Sequence, residues 1–314
     1  KKIKKNKKIF NDNQMNYIKN KIDFKLTNDQ LVAIDQINSD LKSNQKMFRL
    51  LQGDVGSGKT IVSLIASMNV ISSGFQVCLM APTEILAKQH YNLAKKLFDK
   101  NVNIKILTSK TEYKKRKEIQ KDLKNNMINI IIGTHSLFQE KIEYNNLGLI
   151  IIDEQHKFGV KQRKKLSDKG GKNCDILVMS ATPIPRTMIM TVFGDMDISL
   201  IRSKPKNRKE IKTYSKLDSK IEEIIKFIKK QISEKNQVFW VCPLIEESKK
   251  IDHQSSVKRY ESLKKIFKDK VGILHGALNK DEKNKILLNF LHKKIDILVS
   301  TTVIEVGIDF PNAN

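Results

Sequence analysis

From Leu26 onward, short apolar or β-branched runs alternate with stretches whose apolar residues recur at helical spacing. The runs occupy residues 48–52, 76–81, 103–107, 129–133, 147–153 and 175–180, and helical periodicity fills intervals such as 60–72 and 84–100. Strands that are apolar throughout are buried on both faces, so the alternation predicts a parallel sheet with helices on either side. After Gly194 the pattern breaks at IRSKPKNRKE, a charged, Pro-containing stretch with the composition of a linker. A second alternation follows, with expected strands at 211–215, 237–243, 271–275 and 295–301 and helices at 220–234 and 256–268. The expected class is therefore α/β, as two parallel-sheet lobes. The first covers 24–195, a linker 196–210, and a second, incomplete lobe 211–314. Residues 1–23 are rich in Lys and Asn with little periodicity and read as a basic tail or linker.

Composition adds a partner to this picture. The 314 residues carry 59 Lys plus Arg against 34 Asp plus Glu, a formal charge of 59 − 34 = +25. Only seven of the cations are Arg, and Lys, Asn and Ile are abundant together, so part of the excess reflects an A·T-rich coding bias. The remainder favours a polyanion, because clustered cations gain from releasing counterions condensed on a phosphate backbone. No apolar run approaches the ~18 residues that a membrane-spanning helix requires. The basic N-terminus has no apolar signal core, and Cys78, Cys174 and Cys242 are scattered without a CxxC pair, which points to a reducing cytoplasm without disulfides or zinc. The chain starts with Lys rather than Met and stops after a strand-like run, and so reads as a fragment cut at both ends.

The chemistry-bearing motif is Gly53-Asp54-Val55-Gly56-Ser57-Gly58-Lys59-Thr60, which fits GxxxxGK[ST] between an expected strand and an expected helix. Glycines let the backbone turn its N–H groups toward phosphate oxygens, and the helix N-terminus adds its positive dipole end. Lys59 would reach the β and γ phosphates, and Thr60 would offer Mg²⁺ a hard oxygen ligand. The second part is LGLIIIDEQH, which places Asp153 and Glu154 at the carboxyl end of an apolar strand, where open α/β sheets bind ligands. Asp153 would hold the metal through water, and Glu154 would orient and deprotonate the attacking water. An Asp in this position also commonly caps a helix; its pairing with the P-loop favours the nucleotide role.

DEQH at 153–156, lying between GDVGSGKT and Ser180-Ala181-Thr182, resembles the superfamily 2 helicases. APTEILAKQH (81–90), GTHSLFQE (133–140), IIDEQHKFGVKQR (151–163), MSATPIPRT (179–187), VCPLIEES (241–248) and STTVIEVGIDFPNA (300–313) narrow the resemblance to the RecG-type ATP-dependent DNA helicases, over about residues 26–314. The resemblance implies two RecA-like P-loop lobes, ATP and Mg²⁺ as cofactors, and a motor that moves along branched or forked duplex DNA as a monomer, away from membranes. It assigns adenine recognition to Gln30 and stacking on the base to Phe24. Gln155 and His156 would link the hydrolysis site to the facing lobe, and Ser180 and Thr182 would couple hydrolysis to movement. Pro82, Thr83, Gly133, Thr134 and His135 would meet a DNA strand on the first lobe, and Thr301 and Thr302 on the second. Glu305, Gly307 and Asp309 would border the nucleotide.

Aromatic residues make up only 6% of the chain, so grip is expected on phosphates rather than bases, without sequence reading. Two family features fall outside the sequence: an upstream wedge domain, and a downstream Gln- and Arg-rich motif reaching the γ-phosphate. Arginine fingers are worth ~10³–10⁵ in rate in related sites, so this stretch alone is expected to bind ATP and hydrolyse it poorly. Two other readings stand beside the helicase. The transcription-repair coupling factors share TPIPRT, although they typically carry Glu where this chain has Gln155, and a nucleic-acid-binding module with little ATPase activity would also explain the charge. A P-loop kinase would leave DEQH, the SAT sequence and the second lobe unexplained.

Overall fold

The computed structural model describes residues 3–10, 20–154, 169–182, 196–203, 211–242, 249–301, 310 and 312–313. The chain divides into two compact units, Lys1–Arg208 and Lys209–Asn314.

Seven parallel strands form the first unit's sheet: β1 (Phe48–Gly53), β2 (Gln76–Met80), β3 (Ile104–Leu107), β4 (Ile130–Gly133), β5 (Leu147–Ile152), β6 (Asp175–Ser180) and β7 (Asp197–Ile201). Their order is β3-β4-β2-β5-β6-β1-β7. Every residue of β2, β4 and β5 is buried, as expected for strands covered on both faces. The helices Asn28–Lys42, Lys59–Ser72, Glu84–Leu97 and Tyr113–Lys124 supply the cover. Thr27 caps the first of these in a full capping box, its side chain accepting from the Gln30 N–H while Gln30 returns the contact.

Two stretches of this unit depart from expectation. β7 lies within the segment 196–210 that has linker composition, yet it pairs with β1 from Arg49↔Asp197 to Gly53↔Ile201. Its polar residues hid it: Ser199 is buried because its hydroxyl accepts from Arg49 Nη1 at 3.0 Å and donates to Gln36 Oε1 at 2.5 Å. The basic N-terminus is likewise no loose tail over residues 3–10. Lys46 N–H donates to Ile3 O, Lys5 N–H to Asn44 O and Lys8 N–H to Leu41 O. The ammonium groups of Lys5 and Lys8 both reach Asp175 Oδ2 at 2.6 Å, in a cluster with no side-chain exposure. Asp175 also accepts from the Met47 N–H at 2.7 Å. The surplus positive charge is met by the carbonyls of Asp40, Leu41 and Asn173 and by the Phe75 ring beneath Lys8. Burial is the largest influence on Lys5 and pulls its pKa below the ordinary lysine value despite Asp175.

The second unit has a three-stranded parallel sheet, β8 (Val238–Val241), β9 (Val271–Leu274) and β10 (Ile297–Ser300), with β10 in the centre. Ile228 from the helix Ile221–Ser233 packs with Leu263, Val271, Ile297 and Val299. The strand expected at 211–215 is not formed; Ile211 and Tyr214 are exposed, and that stretch joins no sheet. No helix among the described residues is long and apolar enough to cross a membrane.

Candidate nucleotide and nucleic-acid sites

The expected P-loop is the turn between the carboxyl end of β1 and the helix Lys59–Ser72. Gly56 and Gly58 hold φ values of 73° and 88°, left-handed conformations that side chains disfavour. A β-carbon on Gly58 would collide with the Gln30 amide, and one on Gly53 would stand 2.6 Å from Ser57 Oγ and 2.9 Å from Ile201 O. Lys59 is buried, and its ammonium donates to Gly53 O at 2.7 Å and to Asp54 O at 3.1 Å. Burial lowers its pKa from the lysine value, opposed by the nearby charges of Glu154, Asp153 and Asp54. Lys59 follows β1 and the acidic pair follows β5, with β6 between those strands, so the lysine and the two carboxylates share the carboxyl edge of one parallel sheet.

Asp153 follows β5, and its N–H extends the ladder to Met80 O at 2.9 Å. Its Oδ2 lies 2.8 Å from Nε2 of His90, a buried residue on the helix Glu84–Leu97. Glu154, with φ 48°, turns out of the strand direction, and its Oε2 accepts from Ala181 N–H at 3.5 Å. This places its carboxylate beside the loop after β6. There Ser180 Oγ and Thr182 Oγ1 are 3.0 Å apart, and Gln52 of β1 donates to Thr182 O at 3.3 Å. Gln155 and His156 lie outside the described residues.

Gln30 is placed differently from the adenine-reading role implied by the resemblance. It is fully buried, its Oε1 accepting from Thr27 N–H at 2.9 Å and its Nε2 donating to Ser57 O at 2.8 Å. Its amide therefore braces the P-loop and presents no face to a base. Phe24, 43% exposed, is open to stacking and lines a pocket of about 620 Å³ with Ile22, Leu26 and Leu31.

The expected nucleic-acid residues of the first lobe gather at the carboxyl edge of adjacent strands. β2 and β4 pair in register to Met80↔Gly133, and Ala81 N–H donates to Gly133 O. Pro82-Thr83 and Gly133-Thr134-His135 follow directly. Gly133 is required for packing as well, since a β-carbon there would strike the Leu107 carbonyl. The hydroxyls point less outward than expected: Thr83 caps its helix by accepting from Leu86 N–H at 3.4 Å, and Thr134 is buried. His135 is exposed and stacks near Phe138. On the second unit Thr301 follows β10, buried, with no hydrogen-bond partner for its Oγ1 among the described residues. Thr302, Glu305, Gly307 and Asp309 lie outside the described residues.

His90 and Gln52 are the residues the sequence reading passed over. His90 stands inside APTEILAKQH, but a single histidine on an amphipathic helix gives no signal without its partner.

The residues of the site suit a magnesium nucleotide. Its glycine loop has no room for side chains, and Ser57 Oγ within it is buried with no hydrogen-bond partner among the described residues. The hydroxyl of Thr60 and the carboxylate of Asp153 are the hard donors that Mg²⁺ prefers. A parallel sheet with a P-loop on β1 and an acidic pair on β5, two strands away, defines a P-loop nucleotide-binding lobe. Residues 27–191 match the DEAD/DEAH box helicase family and residues 219–314 the helicase conserved C-terminal domain, and the chain belongs to the DEAD/DEAH box helicase family. It is 47% identical over 306 residues to the ATP-dependent DNA helicase RecG of Bacillus subtilis, covering 96% of this chain and 45% of that protein. RecG of Thermotoga maritima is 47% identical over 294 residues, covering 93% and 38%. The chain thus spans less than half the length of these curated relatives. A solved structure of RecG bound to a three-way DNA junction superimposes with a TM-score of 0.86 at 40% identity, over 99% of this chain and 41% of that one. The likeness to Mss116p, at 20% identity and a TM-score of 0.67 over 99% of this chain and 70% of that one, shows the shared two-lobed fold.

Proposed function

We propose that this chain is the motor of a RecG-type ATP-dependent DNA helicase, coupling Mg-ATP hydrolysis to movement along branched or forked DNA in recombination and repair. The observation that carries the reading is that Lys59, after β1, and Asp153 and Glu154, after β5, lie at one edge of the sheet. The RecG relatives support the choice within the family, and the relative seen with a three-way junction supports the branched substrate.

Bound ATP would supply the phosphoanhydride free energy, and its magnesium would neutralise phosphate charge. The P-loop N–H groups and Lys59 bind the phosphates, Thr60 and Asp153 hold the metal, and Phe24 stacks on the base. Glu154 orients the hydrolytic water and takes its proton on a carboxylate oxygen. Ser180 and Thr182, beside Glu154, pass the change in that site to the rest of the motor. Pro82, Thr83, Gly133, Thr134, His135, Thr301 and Thr302 bind the DNA backbone, chiefly through strand-end amides, because several of their hydroxyls face inward. The protein works as a cytoplasmic monomer.

The test is nucleotide and DNA binding measured separately. Lys59→Ala is expected to abolish binding of a fluorescent ATP analogue and leave DNA affinity nearly unchanged. DNA affinity should be indifferent to base sequence; with about five phosphates neutralised, its logarithm should fall against log salt with a slope of roughly −4 to −5 on duplex. Equal nucleotide affinity in parent and variant would overturn the nucleotide site, and a flat salt response the DNA-backbone reading. Stimulation of ATP turnover by forked DNA over linear duplex tests the substrate.

A further inference from the structure

We propose that His90 is a positioning residue for Asp153, setting the rotation of its carboxylate so that one oxygen is fixed toward the nucleotide's magnesium. The proposal rests on the reading of Asp153 as a metal-holding carboxylate and extends it to a residue on the helix Glu84–Leu97.

The geometry is specific. Nε2 of His90 and Oδ2 of Asp153 are 2.8 Å apart, and both residues are buried. An ionised carboxylate only accepts, so the pairing requires the imidazole proton on Nε2. The aspartate backbone is held independently by its N–H to Met80 O, which leaves side-chain rotation as the freedom that His90 removes. With Oδ2 taken, Oδ1 becomes the oxygen presented to the metal. The histidine is itself well anchored: it shares the sheet-facing side of the helix Glu84–Leu97 with Leu86, Ala87 and Ala94, all buried. Hydrogen-bonded partners of metal-ligating side chains commonly govern metal affinity by about 10–100-fold.

The experiment compares His90→Leu, His90→Gln and Asp153→Asn with the parent chain, using a fluorescent ADP analogue first in EDTA and then across a magnesium titration. His90→Leu should weaken the magnesium-dependent gain in affinity by about 10–100-fold and leave metal-free binding unchanged. His90→Gln, whose amide nitrogen takes nearly the place of Nε2, should recover most of the loss. An unaltered magnesium dependence in His90→Leu overturns the proposal. So does an equal loss in EDTA, which marks a merely structural role. If Asp153→Asn also keeps full magnesium dependence, the assignment of Asp153 has failed and the proposal falls with it. Should His90→Leu not fold, long-range ¹H–¹⁵N spectra of the unaltered protein decide: a proton on Nε2 is expected, and a His90 protonated only on Nδ1 overturns the pairing.

Discussion

Gln30 donates from Nε2 to the carbonyl of Ser57 at 2.8 Å while its Oε1 accepts from the Thr27 N–H at 2.9 Å, so one buried amide joins a helix cap to the phosphate loop. Gln30→Glu keeps the acceptor that completes the capping box and replaces the donor with an oxygen facing the Ser57 carbonyl. Burying an unsatisfied polar group costs about 1–3 kcal/mol, and that loss is expected in urea denaturation, together with weaker nucleotide binding. Undiminished stability would show that the brace is dispensable.

Asp175 is the common partner of two buried ammonium groups. Asp175→Asn leaves both without their counter-charge and should destabilise the first unit by about 3–5 kcal/mol, the usual result of breaking a buried pair from one side. Local hydrogen exchange in β1 and β6, whose starts the aspartate ties through Met47 and its own strand, should rise with it. An Asn variant as stable as the parent would remove the N-terminal segment from the list of structural elements.

Glu154→Gln preserves shape and cannot accept a proton. ATP affinity should stay near that of the parent while turnover, measured in a protein that also carries the downstream Gln- and Arg-rich motif, falls by about 10²–10⁴, the contribution typical of a positioned general base. Steady-state and single-turnover assays on the same preparation distinguish this from lost binding.

Lys59 gives a pH signature in the nucleotide-free protein. Its folded pKa lies below the 10.5 of an ordinary lysine, chiefly through burial, so the unfolded chain binds more protons in that interval. Stability contributed at this residue therefore rises with pH between the folded value and 10.5, and is flat below both. Denaturation of the parent and of Lys59→Met, compared from pH 8 upward, should show the difference moving in the parent's favour as pH increases. A constant difference contradicts the buried ammonium.

The site was legible where its chemistry is contiguous. GDVGSGKT encodes its turn through glycines whose φ values only they adopt readily, and LGLIIIDEQH carries both the buried strand and the acidic pair that ends it. What escaped notice depends on partners distant in sequence. Lys5 and Lys8 meet an aspartate 170 and 167 residues away, so their stretch looks like a solvated tail. Ser199 is polar and buried because Arg49 and Gln36 satisfy it, which masks β7 as linker. The reverse occurs at 211–215, where the expected strand does not form and Ile211 and Tyr214 remain exposed. Gln30 shows a subtler limit: sequence carries no sign that its amide is engaged at both ends, by the Thr27 N–H and the Ser57 carbonyl.

The helix Glu84–Leu97 starts at Thr83, on the edge expected to meet DNA, and carries His90 about 10 Å further along its axis, at the 1.5 Å rise of each residue. Such a rod does not compress. A tilt imposed at its capped end would reach the imidazole as a shift in direction, and through the 2.8 Å contact the carboxylate of Asp153. Free-energy coupling of this kind runs equally both ways. If a strand bound at Thr83 sharpens the hold on magnesium, then the metal-loaded nucleotide must tighten the hold on that strand by the same factor. A single helix two turns deep would thus make grip and fuel state two readings of one equilibrium.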